Sequence, residues 1–179
     1  MIFALYELAS GVQALPGNRV VYDLERGEAY FGAARVEGPA LVFELSQYGG
    51  AGAKLAAEVD PDPRLRWLMR CDRVDFPPGS VAYRHVHPGP GIRRLLFGEL
   101  RIESPEGVRT YGPAGAWFEG ADYPVVATAS TAQETAFVRV MLLPREWAGK
   151  RTIRYLDPAD EGKPKLQRAT VLLEVPIEL

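Results

Sequence analysis

The chain has 179 residues, a formal net charge of −2 and an isoelectric point near 5.8, with 47% apolar and 25% charged residues. These values are ordinary for a soluble globular protein of about one domain, and they give no electrostatic reason to expect a nucleic acid as partner. The apolar runs are too short for a transmembrane helix, and the N-terminus lacks the basic residues that open a signal peptide.

In the first third of the chain, short apolar runs alternate with turns. Residues 29–37 and 40–48 flank a Glu-Gly-Pro turn and predict a β-hairpin. Residues 50–60 predict a short helix, because Pro61 and Pro63 then end the segment. Residues 1–67 as a whole are expected to add strands to a barrel. A dimer-forming arm and a worn half-copy of the barrel are the alternatives.

The remaining residues, 68–179, are expected to form the barrel core and to close with a C-terminal strand, in one structural domain overall. Turn residues recur about every ten positions, which favours an antiparallel sandwich or barrel. The predicted strands cover the following segments: 64–76, 77–87, 91–104 with a break at Gly98, 109–120, 123–130, 134–144 and 168–179.

The single cysteine, Cys71, rules out an intrachain disulfide. Cysteines without a disulfide partner are typical of a reducing compartment, so we expect a cytoplasmic protein. Cys71 itself is expected to be a small buried apolar residue.

Two histidines one residue apart stand at the centre of a spaced motif. Gly79 is followed by five residues, then by His85 and His87, then by Pro-Gly-Pro and Gly91, and after six more residues by Gly98. This spacing resembles the first motif of the cupins, which are small jelly-roll β-barrels. That family has a glutamate where this chain has Gly91.

A second, looser segment, residues 111–130, resembles the second cupin motif, a glycine-rich turn, a strand, a turn and a histidine. Val125 or Val126 stands where the last histidine would fall. The resemblance implies an all-β, cupin-type jelly-roll barrel. Cupins usually bind Fe, Mn, Ni or Zn through the paired histidines, the glutamate and the last histidine. They also commonly form homodimers, so a homodimer is expected.

Strand geometry sends His85 and His87 to the same face, because alternate residues of a strand point the same way. The chain contains no third histidine. Glu119 is the leading candidate for a third metal ligand, giving two imidazoles and one carboxylate. Glu134 and Glu99 are weaker choices. Alternatively, Glu119 is a surface residue near a turn.

Arg93 shares the parity of Gly91, so it faces the barrel interior if the missing glutamate did. A buried guanidinium must be paired. Three arrangements satisfy this: an ion pair with Glu119 at the old metal position, a grip on the carboxylate or phosphate of a ligand, or a slip of register that turns Arg94 inward instead.

Aromatic residues complete a predicted small-molecule pocket, in which Tyr83, Phe97 and Trp117 form walls and Arg93 binds the substrate. Two functions follow. One is a metal-dependent enzyme, such as a dioxygenase or isomerase, with His85, His87 and Glu119 as metal ligands. The other is a metal-free protein that binds or senses a small anionic molecule.

Overall fold

The computed structural model describes residues 1–179, and nearly all of its regular structure is β-strand. Two short 3₁₀ helices, Arg145–Trp147 and Pro158–Gly162, are the exceptions. No helix is long and apolar enough to cross a membrane. The chain separates into two compact units, which are described in turn.

The first unit contains residues 1–71, 140–148 and 171–179. Its N-terminal strands are β1 (Ile2–Leu8), β2 (Val12–Ala14), β3 (Arg19–Asp23), β4 (Glu28–Phe31), β5 (Ala34–Val36), β6 (Ala40–Ser46) and β7 (Leu55–Glu58). Five of them form an antiparallel sheet in the order β4-β3-β6-β1-β7, and β2 pairs with β5. Cys71 is buried in this unit, as expected for a small apolar residue.

Two local predictions for this unit are wrong. The predicted helix at 50–60 is a turn followed by β7, which pairs with β1. Gly50 and Gly52 adopt positive φ angles of 88° and 72° there, which a helix does not allow. The predicted hairpin of 29–37 with 40–48 does not form either, because β6 pairs with β1 and β3 rather than with β4 or β5.

The second unit contains residues 72–139 and 149–170. The remaining strands of the chain are β8 (Trp67–Phe76), β9 (Val81–Val86), β10 (Gly91–Phe97), β11 (Leu100–Ser104), β12 (Gly107–Tyr111), β13 (Ala116–Glu119), β14 (Val125–Ala129), β15 (Thr135–Pro144), β16 (Arg154–Tyr155) and β17 (Arg168–Ile177). They form two five-stranded sheets, in the orders β12-β11-β14-β9-β16 and β13-β10-β15-β8-β17.

An apolar core fills the second unit, built from alternate residues of its strands. Its members include Val74, Phe76, Leu95, Leu100, Ile102, Trp117, Val125 and Phe137. The two outer glycines of the histidine motif, Gly79 and Gly98, lie at turns at the edge of this core. Their φ angles are 71° and 82°. Only glycine adopts such angles readily, which explains two fixed points of the motif.

Candidate functional site

The paired histidines lie together inside the second unit. His85 belongs to β9 and His87 follows it directly. Both are buried, at 5% and 4% exposure. Their ring centroids are 5.0 Å apart in an edge-to-face arrangement. The predicted common direction of the two imidazoles therefore holds.

Arg93 and Glu119 form a buried ion pair beside these rings. In the register of β10 and β13, Glu119 stands opposite Gly91 and Trp117 stands opposite Arg93. Arg93 is 1% exposed, and its Nη2 lies 2.7 Å from Glu119 Oε2. Glu119 is thus not a surface residue, and its carboxylate enters from the strand facing the position where cupins carry theirs.

A second buried ion pair, Arg139 with Asp72, was not predicted from the sequence. Together with His85, His87, Arg93 and Glu119 it forms the polar cluster of this unit. Arg139 of β15 donates through Nε to Asp72 Oδ2 at 2.9 Å, and its Nη2 lies 2.9 Å from the same oxygen. Its Nη1 donates to His87 Nε2 at 3.2 Å, and its Nη2 donates to Thr152 Oγ1 at 3.4 Å. The sequence did carry a sign of it, since Arg139 is the one charge inside the apolar run 136–143.

The hydrogen bonds place a hydrogen on Nδ1 of both rings and make His87 neutral. A backbone carbonyl can only accept, so the Nδ1 of His85 donates to Tyr83 O at 2.6 Å and the Nδ1 of His87 donates to Thr152 O at 3.3 Å. A guanidinium can only donate, so His87 Nε2 accepts from Arg139 and carries no hydrogen. For His85, burial lowers the pKa and thereby favours the neutral form.

Burial lowers the pKa of both histidines. The pKa of His87 falls well below its usual 6.5, because burial, Arg139, Arg93 and His85 all disfavour its charged form. Burial also lowers the pKa of His85, against which Glu119 and the Tyr83 carbonyl act in the opposite direction.

Below about pH 6.5, the histidines of the unfolded chain should therefore bind protons that the buried imidazoles of the folded chain do not bind. Stability is full above that pH and decreases below it, by about 1.4 kcal/mol per pH unit for each such proton. Urea unfolding at about pH 7.5 and about pH 5.5 should show about 1 kcal/mol more loss in the wild type than in His87→Gln, which cannot titrate. Equal losses in the two proteins would contradict this assignment.

The other predicted site residues divide between this cluster and other places. Trp117 is buried in the core, and its Nε1 donates to Glu119 Oε1 at 2.8 Å. Tyr83 contributes its carbonyl to His85, while its ring lies 4.7 Å from Lys163 Nζ.

Phe97 is not brought to the cluster. It is 40% exposed and lines a surface cleft of about 350 Å³ together with Asp75, Glu134, Leu166 and Arg168. It lies four residues beyond Arg93, about 13 Å along the strand.

Strand parity left open whether Arg93 or Arg94 faces inward. In the structure both side chains are buried. Arg93 lies in the polar cluster, whereas Arg94 donates to Leu95 O. Val125 stands directly opposite His85 in the pairing of β14 with β9, which places an apolar side chain beside the ring where cupins have their last histidine.

The donor set of the cluster does not fit a metal ion. His87 Nε2 already accepts from Arg139, and the Glu119 oxygens are engaged by Arg93 and Trp117. The two guanidinium groups are close enough to disfavour positive charge on His87, and they would repel a cation for the same reason. No group of three His, Cys, Asp or Glu side chains is arranged to hold a metal.

No known family profile and no curated protein matches the sequence. Among solved structures, the polyketide cyclase RemF from Streptomyces resistomycificus is 17% identical with a TM-score of 0.41, covering 51% of this chain and 61% of the cyclase. A cupin 2 conserved barrel domain protein from Leptotrichia buccalis is 13% identical with a TM-score of 0.42, covering 76% and 81%.

A mutant of the oxalate decarboxylase OxdC of Bacillus subtilis is 12% identical with a TM-score of 0.47, covering 91% of this chain and 70% of the decarboxylase. Such low scores carry no argument about activity. The antiparallel sheets confirm the predicted all-β class, and the motif spacing around His85 and His87 resembles that of the cupins.

Proposed function

We propose that the protein binds a small organic anion, without a metal, at the cluster around Arg93. The observation that carries this proposal is the incomplete pairing of that guanidinium. Arg93 Nη1 donates to Gly91 O at 2.6 Å. Its Nη2 forms the ion pair with Glu119 Oε2 at 2.7 Å, but this one oxygen cannot face both of its hydrogens, and the buried atom makes no well-aligned hydrogen bond.

Arg139 and Arg93 differ in this respect. Every terminal nitrogen of Arg139 has a partner, namely Asp72, His87 or Thr152. A buried donor without an acceptor costs about 1–3 kcal/mol, which a ligand oxygen at Arg93 Nη2 would recover. Burial lowers the pKa of Arg93 to about 10, so the group remains a cation at neutral pH and suits a carboxylate.

Positively charged side chains near His85 also favour an anion. Tyr155 of β16 pairs with His85, and its ring stands 6.3 Å from the imidazole. Two cations lie over the Tyr155 ring, Lys165 at 4.7 Å and Arg151 at 5.3 Å from the ring centroid. Their positive potential would raise the local concentration of anionic ligands.

Arg93→Met should weaken the binding of short carboxylates by at least about tenfold, because it removes a charge-assisted hydrogen bond worth roughly 1.5–3 kcal/mol. Titration calorimetry with acetate and propionate measures this. Arg109→Met is the matched control, since Arg109 is exposed on β12, and it should bind as the wild type does. Equal affinities for the Arg93 and Arg109 variants would contradict the proposal.

A metal-dependent enzyme, such as an oxygenase or isomerase with Fe, Zn, Mn or Ni on His85, His87 and Glu119, is the second candidate. It is favoured by the bare Nε2 of His85 and by the nearby negative charge of Glu119. It requires Arg139 to leave His87. Metal analysis of the untagged protein separates the two candidates: about one equivalent that disappears in His85→Ala supports the enzyme.

We also propose a homodimer in the cytoplasm, with residues 1–67 as strands added to a barrel of residues 68–179. The outer position of β17 in its sheet and the exposed Val171 on it favour pairing with a second copy. Light scattering on the purified protein measures the mass directly, and a monomer at micromolar concentration would refute the homodimer.

A further inference from the structure

The surface cleft beside Phe97 has the dimensions of a small-molecule site. Its volume is about 350 Å³, at the lower end of the roughly 300–1,000 Å³ that such sites occupy. All of the residues that line it belong to the second unit, and none is part of the polar cluster around Arg93. The cleft therefore suits a ligand of few heavy atoms, at a place separate from that cluster.

Part of the lining of this cleft is apolar and already held in place. Phe97 and Leu166 contribute large side chains that are 40% and 59% exposed. The guanidinium carbon of Arg73 stands 5.7 Å from the centroid of the Phe97 ring. The same guanidinium donates to Asp75 Oδ1 through Nε at 3.0 Å and Nη2 at 2.8 Å. Arg73 thus supports the aromatic ring and neutralises one carboxylate of the cleft.

Two further charges in the cleft, of opposite sign, have no partner in the protein. Glu134 directly precedes β15 and Arg168 opens β17. Both side chains are exposed, and neither forms a hydrogen bond or an ion pair. Strand β8 lies between β15 and β17 in the sheet, so the two backbones are two strand spacings apart, roughly 9.5 Å. A small molecule that carries both charges fits between these side chains.

We propose that the cleft binds a free α-amino acid with an apolar side chain. Its ammonium group pairs with Glu134, its carboxylate pairs with Arg168, and its side chain packs against Phe97 and Leu166. A ligand with one charge leaves either Glu134 or Arg168 without a partner, and a wholly apolar ligand desolvates both charges without compensation. This site is additional to the proposed anion site and does not depend on it.

Two analogues of leucine separate the contacts. Leucinamide lacks the carboxylate and 4-methylpentanoate lacks the ammonium group, while both keep the apolar side chain. Titration of ¹⁵N-labelled protein measures the affinities from the amide resonances of Phe97 and Thr135, which line the cleft. We expect leucine to bind at least about threefold more tightly than either analogue, since this is the effect of an exposed ion pair.

Each variant is matched with one analogue. Arg168→Met should weaken the binding of leucine at least about threefold and leave that of leucinamide unchanged. Glu134→Gln should weaken the binding of leucine equally and leave that of 4-methylpentanoate unchanged. Because both side chains are exposed and unpaired, neither variant should disturb folding. Glu106→Gln, at an exposed turn, is the matched control and should bind all three compounds as the wild type does.

Leucine that binds no more tightly than its two analogues would overturn the proposal. An Arg168→Met variant that weakens leucine and leucinamide equally would also contradict it, because leucinamide has no carboxylate to lose. Amide shifts confined to the surroundings of His85 and Arg93 would overturn the amino acid site and leave the anion site standing. Shifts at the cleft alone would support the amino acid site and not the anion site.

Discussion

Replacing Asp72 with leucine should lower the free energy of unfolding by about 3–5 kcal/mol, the range for breaking a buried ion pair from one side. Asp72 is 0% exposed, and its Oδ2 lies 2.9 Å from both Nε and Nη2 of Arg139. Leucine would leave that guanidinium uncompensated in the interior, where it cannot lose its proton at ordinary pH. Urea unfolding at neutral pH measures the change.

Two further variants isolate the charge. The double variant Asp72→Leu with Arg139→Met should regain most of the lost stability, because a buried pair can be replaced by apolar residues at little cost. Asp75→Leu is the matched control on the same strand, since Asp75 pairs with Arg73 near the surface, and it should cost no more than about 1 kcal/mol. Similar losses for Asp72→Leu and Asp75→Leu would contradict the assigned role of the pair.

Gly98→Ala is expected to destabilise the fold by about 2–5 kcal/mol, the sum of a steric clash and a left-handed backbone. A Cβ at Gly98 would lie 2.4 Å from the carbonyl oxygen of Glu134 and 2.4 Å from Thr135 Oγ1. That hydroxyl cannot move freely, because it donates to Glu99 O at 3.0 Å and accepts from Glu99 N at 3.1 Å. Thermal or urea unfolding would report the loss.

Gly149→Ala separates the two contributions. Gly149 has a φ of 67°, and a Cβ there would meet no atom within 4 Å. The free energy of unfolding of Gly149→Ala should therefore fall only by the backbone cost of about 1 kcal/mol. Equal losses of stability in Gly98→Ala and Gly149→Ala would show that the turn moves to relieve the contact at Gly98. Close packing would then not be the reason for a glycine at that position.

The strand pattern was enough to predict an all-β fold of antiparallel strands, because alternation and turn residues act locally. The choice of pairing partner was not predictable in the first 60 residues. Residues 40–46 form the expected strand but pair with β1 and β3, and residues 55–58 extend as an edge strand on β1. Both outcomes depend on chain segments that are distant in sequence.

Strand parity also predicted the shared direction of the two histidines, and it allowed the Arg93–Glu119 pair as one of three arrangements. It could not find Arg139 and Asp72, since these residues are 67 positions apart. Their contact exists only because β8 and β15 are neighbours in one sheet. A charged residue that interrupts a long apolar strand was the sign of it, because such a residue needs a buried partner.

The contact of Arg139 with His87 has a consequence for any attempt to engineer a metal site here. A single substitution that installs a carboxylate at Gly91 or an imidazole at Val125 would leave both guanidinium groups in place, where they repel a cation. Removing either arginine alone would leave Glu119 or Asp72 as an unpaired buried charge. A designed cation site therefore requires several coordinated replacements at once.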